Sequence, residues 1–137
     1  MRRSRFCYAA SGRNGNMNPE AAMQRINLLT SHAWMVRQFL KHAEEVQEDD
    51  EMLDVHRMIY DYLRAVEPSY QRGDAAEYLR RAKGKLPKLR KVAEFFTEHY
   101  TRVSDHTNFQ MAAVSLKFVV QEIEEVLAQA AKAEPEA

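Results

Sequence analysis

The sequence predicts an all-α protein, an antiparallel four-helix bundle with an additional short connecting helix. Three observations carry that expectation. Only four glycines and four prolines occur in 137 residues, while Ala, Glu, Leu, Lys, Arg and Gln are plentiful, a mix that favours helix over strand. Apolar residues recur in alternating steps of three and four along four long stretches, the pattern of helices packed nearly parallel to one another. Capping and helix-breaking residues fall between those stretches.

The first helix begins at Asn18-Pro19-Glu20. Asn18 suits the N-cap, Pro19 the first helical position and Glu20 the positive end of the helix dipole. The seam Ala22, Ile26, Leu29, Ala33, Val36, Leu40 and Ala43 carries this helix to about Gln47. A second helix starts at Asp49 or Asp50, with a seam of Met52, Val55, Ile59, Tyr62 and Val66. Pro68 is expected to end or kink it, and Gly73 to close the turn. Asp74 and Glu77 then form an Asp-x-x-Glu variant of the capping box for a short third helix that Gly84 ends. The fourth carries Leu86, Leu89, Ala93, Phe96, Tyr100 and Val103. Thr107 and Gln110 read as a capping box for the fifth, whose seam is Ala112, Leu116, Val119, Ile123 and Val126.

Organisation follows from composition. Residues 1–16 hold four arginines, no acid and two glycines, and are expected to be a disordered basic tail. They lack the apolar core of a secretory signal. Met17, directly before the first helix, is a second candidate initiator. Residues 17–130 form one bundle domain, and residues 131–137 read as a frayed C-terminal tail. Acidic and basic residues balance at 20 each, so no global field points to nucleic acid or an anionic membrane. The single cysteine, Cys7, is compatible with a reducing compartment. No apolar run approaches the ~18 residues of a membrane span. The expected setting is cytoplasmic, with no membrane and no cofactor.

The first helix carries a feature that an ordinary surface helix lacks. At ~100° per residue, Ala21, Leu28, His32, Met35, Phe39 and Val46 form a second stripe, roughly 100–140° from the seam. In the fifth helix, nine of the twelve residues of FQMAAVSLKFVV (109–120) are apolar, distributed around the whole circumference. Two such helices in so small a bundle point to an oligomer surface. Leu28, His32, Met35 and Phe39 are the candidate interface, with Phe39 the strongest anchor. The leading expectation is a non-enzymatic protein–protein interaction module, a homodimer docking through apolar helix faces. Its partner is a second copy or another protein.

Other constellations carry less chemistry. Arg37 and His42 have the loose Arg-to-His spacing of HEPN-type ribonucleases, a resemblance that implies an RNA-binding or RNA-cleaving helical bundle as the alternative. In that family the motif lies late in the chain; here it lies in the first helix, with the two side chains ~140° apart on the wheel. Both read as solvated. The Glu-x-x-His pairs of a di-iron bundle are missing, and no metal ligand set is expected. Ser104, Asp105 and His106 are consecutive, which suits turns and caps rather than a hydrolase triad. A ligand-binding bundle would need a cavity among Trp34, Tyr62, Phe96 and Tyr100.

Charge is segregated despite the zero sum. Residues 44–54 hold seven acids and no base; residues 80–91 hold seven bases and no acid. Arg80, Arg81, Lys83, Lys85, Lys88, Arg90 and Lys91 are therefore weaker candidates for contact with an acidic partner or nucleic acid. The run has no interleaved aromatic for base stacking, and it reads first as solvated surface facing the acidic corner.

Overall fold

The computed structural model describes residues 17–133. Four long helices and one single turn make up the bundle: α1 Pro19–His42, α2 Glu44–Gln47, α3 Asp50–Arg72, α4 Ala75–His99 and α5 Thr107–Ala133, with a 3-10 turn Tyr100–Arg102 before α5. The expected tail over residues 1–16 lies outside the described residues. So do residues 134–137 of the expected C-terminal tail; α5 itself continues to Ala133.

α1 starts as its sequence requires. Asn18 Oδ1 accepts from the Ala21 N–H at 2.8 Å, which satisfies one of the first-turn donors that have no partner within the helix. The helix does not reach Gln47. It stops at Ala43, whose backbone is extended, and one further turn follows. Burial explains the break. In a straight helix Val46 would share the outward angle of Leu28; after the break it is completely buried. The Gln47 side-chain amide donates to the Lys41 carbonyl at 2.8 Å, occupying one of the orphaned acceptors at the end of α1.

Pro68 does not end α3. It lies in the penultimate turn, and the helix runs on to Arg72. Termination falls to Gly73, whose φ of 70° is left-handed, a conformation that costs any residue with a Cβ ~1–2 kcal/mol. The Gly73 N–H donates to the Tyr70 carbonyl at 3.0 Å and the Asp74 N–H to the Ser69 carbonyl at 2.9 Å, closing the helix by a pair of reversed bonds.

The short helix expected to end at Gly84 is the first half of α4, which passes unbroken through Gly84 and Pro87. Asp74 caps it by accepting from the Glu77 N–H at 3.1 Å. Ala75, Tyr78, Ala82, Leu86, Leu89, Ala93 and Phe96 form one buried stripe, in steps of three and four across both residues. A full turn-by-turn register with the core outweighs local penalties of ~1 kcal/mol for glycine and ~3 kcal/mol for proline. The additional short element of the bundle is therefore α2. At the start of α5, Thr107 is already helical. His106 caps instead, its Nδ1 accepting from the Asn108 N–H at 3.0 Å, while Ser104 Oγ accepts from the His106 N–H at 3.0 Å.

The helices pack in the cyclic order α1, α3, α4, α5. Cross-helix pairs set an antiparallel sense: Phe39 with Phe109 and Arg25 with Glu122 join α1 to α5, Tyr70 with Tyr78 joins α3 to α4, and Arg90 with Glu124 joins α4 to α5. Every long helix contributes to one core, centred on Ile26, Leu40, Ile59, Tyr78, Phe96 and Ile123. Tyr62 is tied in as well, its hydroxyl donating to the Ala82 carbonyl at 3.0 Å.

The two glycines should respond to alanine with opposite signs. A Cβ at Gly84 meets nothing within 4 Å, so Gly84→Ala is expected to stabilise by ~0.5–1 kcal/mol. Gly73→Ala, at positive φ, is expected to destabilise by ~1–2 kcal/mol. Thermal unfolding followed by circular dichroism measures both, and a loss of stability in Gly84→Ala would contradict the continuous α4.

Candidate functional site

The second stripe of α1 faces outward. Met35 is 65% exposed, and Leu28 and His32 are also exposed. Phe39 behaves differently. It is half-buried and meets Phe109 of α5 edge-on, with ring centroids 4.9 Å apart, an arrangement favoured by the aromatic quadrupoles. Phe39 thus belongs to the α1–α5 contact and is not an exposed anchor.

α5 supplies the other half of the face. Met111, Val114 and Phe118 are exposed, Phe118 at 45%, and follow one another in steps of three and four along one side. The pairs Phe39–Phe109 and Arg25–Glu122 fix the register of the two antiparallel helices. By that register Met35 lies level with about residue 112 and Leu28 with about residue 119. The two outward stripes therefore run side by side, with the Arg25–Glu122 ion pair, 3.3 Å long, near one end. Five of the six large apolar side chains exposed among the described residues lie here, Trp34 being the sixth. The α5 residues are not separately legible in the sequence. The only signal is that residues 109–120 are apolar on all sides, and a wheel cannot say which of them the other helices cover.

Arg37 departs from its expected solvated position. It is only 9% exposed. Its guanidinium carbon lies 4.6 Å from the Trp34 ring centroid and 4.5 Å from that of Tyr60 on α3, a cation packed against two aromatic rings. One of its nitrogens donates to Gln38 Oε1 at 2.7 Å. Arg37 Nε and His56 Nδ1 are buried without a protein partner. Burial pushes the His56 imidazole below its ordinary pKa, and Arg57, Arg37 and Lys41 add to that effect. His42 is exposed elsewhere, lining a shallow concavity with Phe39, Glu45, His106 and Phe109. None of the described grooves is lined by both Arg37 and His42, and neither residue lines a described groove with the basic run. Tyr62 and Phe96 are in the core, while Trp34 packs on Tyr60, so these aromatics do not frame one cavity. Among the described residues, no group of three or more His, Cys, Asp or Glu is placed to hold a metal ion. No described helix is long and apolar enough to cross a membrane.

The basic run is divided around α4. Arg80, Lys83 and Arg90 line a groove against α5. Lys85 and Lys88 line one against α3 with Asp61 and Arg64, and Lys88 and Lys91 share a third with Glu51 and Asp54. Arg80 and Arg81 both grip Glu77, at 2.7 and 2.9 Å. Only Lys88 and Lys91 thus meet the acidic segment. Its main partner is Arg102, which pairs with Asp49 at 2.7 Å and Glu51 at 2.9 Å and joins the start of α3 to the turn before α5.

Two outcomes follow from these contacts. Arg37→Ala should cost ~1–2 kcal/mol, since it removes a largely desolvated cation from two aromatic faces; chemical denaturation reads this, and a change within ~0.5 kcal/mol would return Arg37 to the solvated class. Hydrogen bonding to Arg102 holds the Asp49 carboxyl below its ordinary pKa of 3.8. A depressed folded-state pKa stabilises above the unfolded value and is lost as pH falls through the folded one. The stability gap between native protein and Arg102→Ala should therefore be full at neutral pH and close below about pH 4. Melting curves across that range check it.

No family model, curated protein or solved structure matches the chain.

Proposed function

We propose that this protein is a small, cytoplasmic helical-bundle interaction module that pairs with a second copy of itself through the α1–α5 face. The supporting observation is the concentration of Leu28, Met35, Met111, Val114 and Phe118 on two adjacent helices. Scattered exposed apolar residues are ordinary on a protein surface; a contiguous group marks a contact site.

A second copy is the occupant that fits. The two stripes run on antiparallel helices and lie side by side, so a twofold axis through the face sets apolar stripe against apolar stripe. The resulting contact would be a four-helix layer, α1 and α5 from each copy, joining two cores. Ser31 and His32, both exposed, flank the Leu28–Met35 stripe on its two sides, His32 on the side toward α5. Affinity would come from Phe118 and Met35, the largest exposed side chains of each stripe. The cytoplasmic setting rests on the single cysteine and the balanced charge.

Sedimentation velocity at tens of micromolar tests the reading. The native protein is expected to be a dimer. Met35→Asp and Phe118→Asp should give monomers that keep native helical circular dichroism, because both residues are exposed. Phe39→Asp should instead lose structure, since Phe39 packs on Phe109. A native protein that is already monomeric, or mutants that remain dimeric, would remove the face from function.

A further inference from the structure

The largest groove described lies on another side of the bundle, between the first half of α4 and the last part of α5, and measures about 660 Å³. We infer that it is a docking site for an acidic amphipathic helix supplied by a different protein. This rests on observations independent of the α1–α5 face.

The shape comes from side-chain size. Leu79, Leu86 and Leu127 make an apolar floor, and Ala76, Ala128 and Ala131 leave the walls low. On α4 the lining residues run from 76 to 90, about 21 Å at 1.5 Å per residue. That length accepts roughly four turns of helix. On α5 residues 124, 127, 128, 130 and 131 line the opposite wall, and four of them hold the i, i+3, i+4, i+7 spacing of a helix's packing face. Two such walls form a trough, and their alanines permit the ~8–10 Å axial separation at which helices interlock.

Charge selects the occupant. Arg80, Lys83 and Arg90 edge the groove against one carboxylate, Glu124. Glu124 is engaged by Arg90 at 2.6 Å, and Arg80 is engaged by Glu77. Lys83 is exposed and makes no ion pair among the described residues. The cationic edge is thus in excess over the local acids, and it borders an apolar floor. A helix with leucines on one face and glutamates along its flanks satisfies both. Nucleic acid fits less well, because no aromatic lines the groove for a base to stack on. Among the described residues a second copy offers no matching helix: the acidic segment Glu44–Asp54 is split between α2 and the start of α3, and the outer positions of α3 alternate acids with Arg57 and Arg64.

The test uses two designed 16-residue helical peptides with one shared Leu/Ala face, one flanked by glutamate and the other by lysine. Each is titrated into the ¹⁵N-labelled full chain and followed by amide shifts. The glutamate peptide is expected to bind at tens of micromolar, with shifts confined to residues 76–90 and 124–133, and the lysine peptide at least about tenfold more weakly. Lys83→Glu should weaken the glutamate peptide by about tenfold. Ala128→Arg, which fills the trough from an exposed position, should abolish binding. Both variants should keep native circular dichroism and the native oligomeric state. Equal binding of both peptides, no binding, or shifts centred on Leu28 and Phe118 would overturn the inference. So would a change of oligomeric state in Ala128→Arg, which would put a second copy in the groove. Met35→Asp should leave peptide binding unchanged, so the failure of one proposal is separable from that of the other.

Discussion

The apolar stripe of α4 keeps its register with the core from Ala75 to Phe96, through a glycine and a proline that local preference would use as stops. Tyr78 and Phe96, near its two ends, are completely buried, so a break at Gly84 would take one of them out of the core. Burying a side chain of that size is worth ~1.5–3 kcal/mol, and several such residues lie on each side of the break point. The continuous helix follows from that sum. With α4 continuous, α3 and α5 have a full-length neighbour, Tyr62 can reach the Ala82 carbonyl, and the α4–α5 groove gains a wall about 21 Å long.

The same core explains the surface. Four helices in cyclic order give each long helix two flanking neighbours and one outward side, with α1 and α4 also touching across the core. Where that side carries charge, as with Arg57 and Arg64 on α3, it is an ordinary solvated face. α1 and α5 are the exceptions, and they are adjacent. Their outward apolar residues therefore merge into one area. Among the described residues there is no fifth long helix to cover it, because the short helix expected before Gly84 is the first half of α4.

Polar contacts mainly tie the ends together. Arg102 links the start of α3 to the turn before α5 through Asp49 and Glu51. His106 and Ser104 start α5, and Gln47 finishes α1. The Arg37 stack is the main cationic feature on a long helix flank, and it acts as a packing element between α1 and α3.

Much of this was legible in the amino-acid pattern alone. The four seams, the caps at Asn18 and Asp74 and the turn at Gly73 depend on neighbours within four residues, and local spacing carries such information. The outward stripe on α1 was legible for the same reason. Three things were decided only by the assembled bundle. Gly84 and Pro87 stay helical because distant burial outweighs a local cost. Phe39 and Arg37 leave the solvent because Phe109 and Tyr60, 70 and 23 positions away in the sequence, close over them. Met111, Val114 and Phe118 stay exposed because α1 and α4 cover the rest of α5 and no other described element covers that side. A wheel assigns an angle to each residue, but which angles meet another helix depends on contacts between segments far apart in the chain.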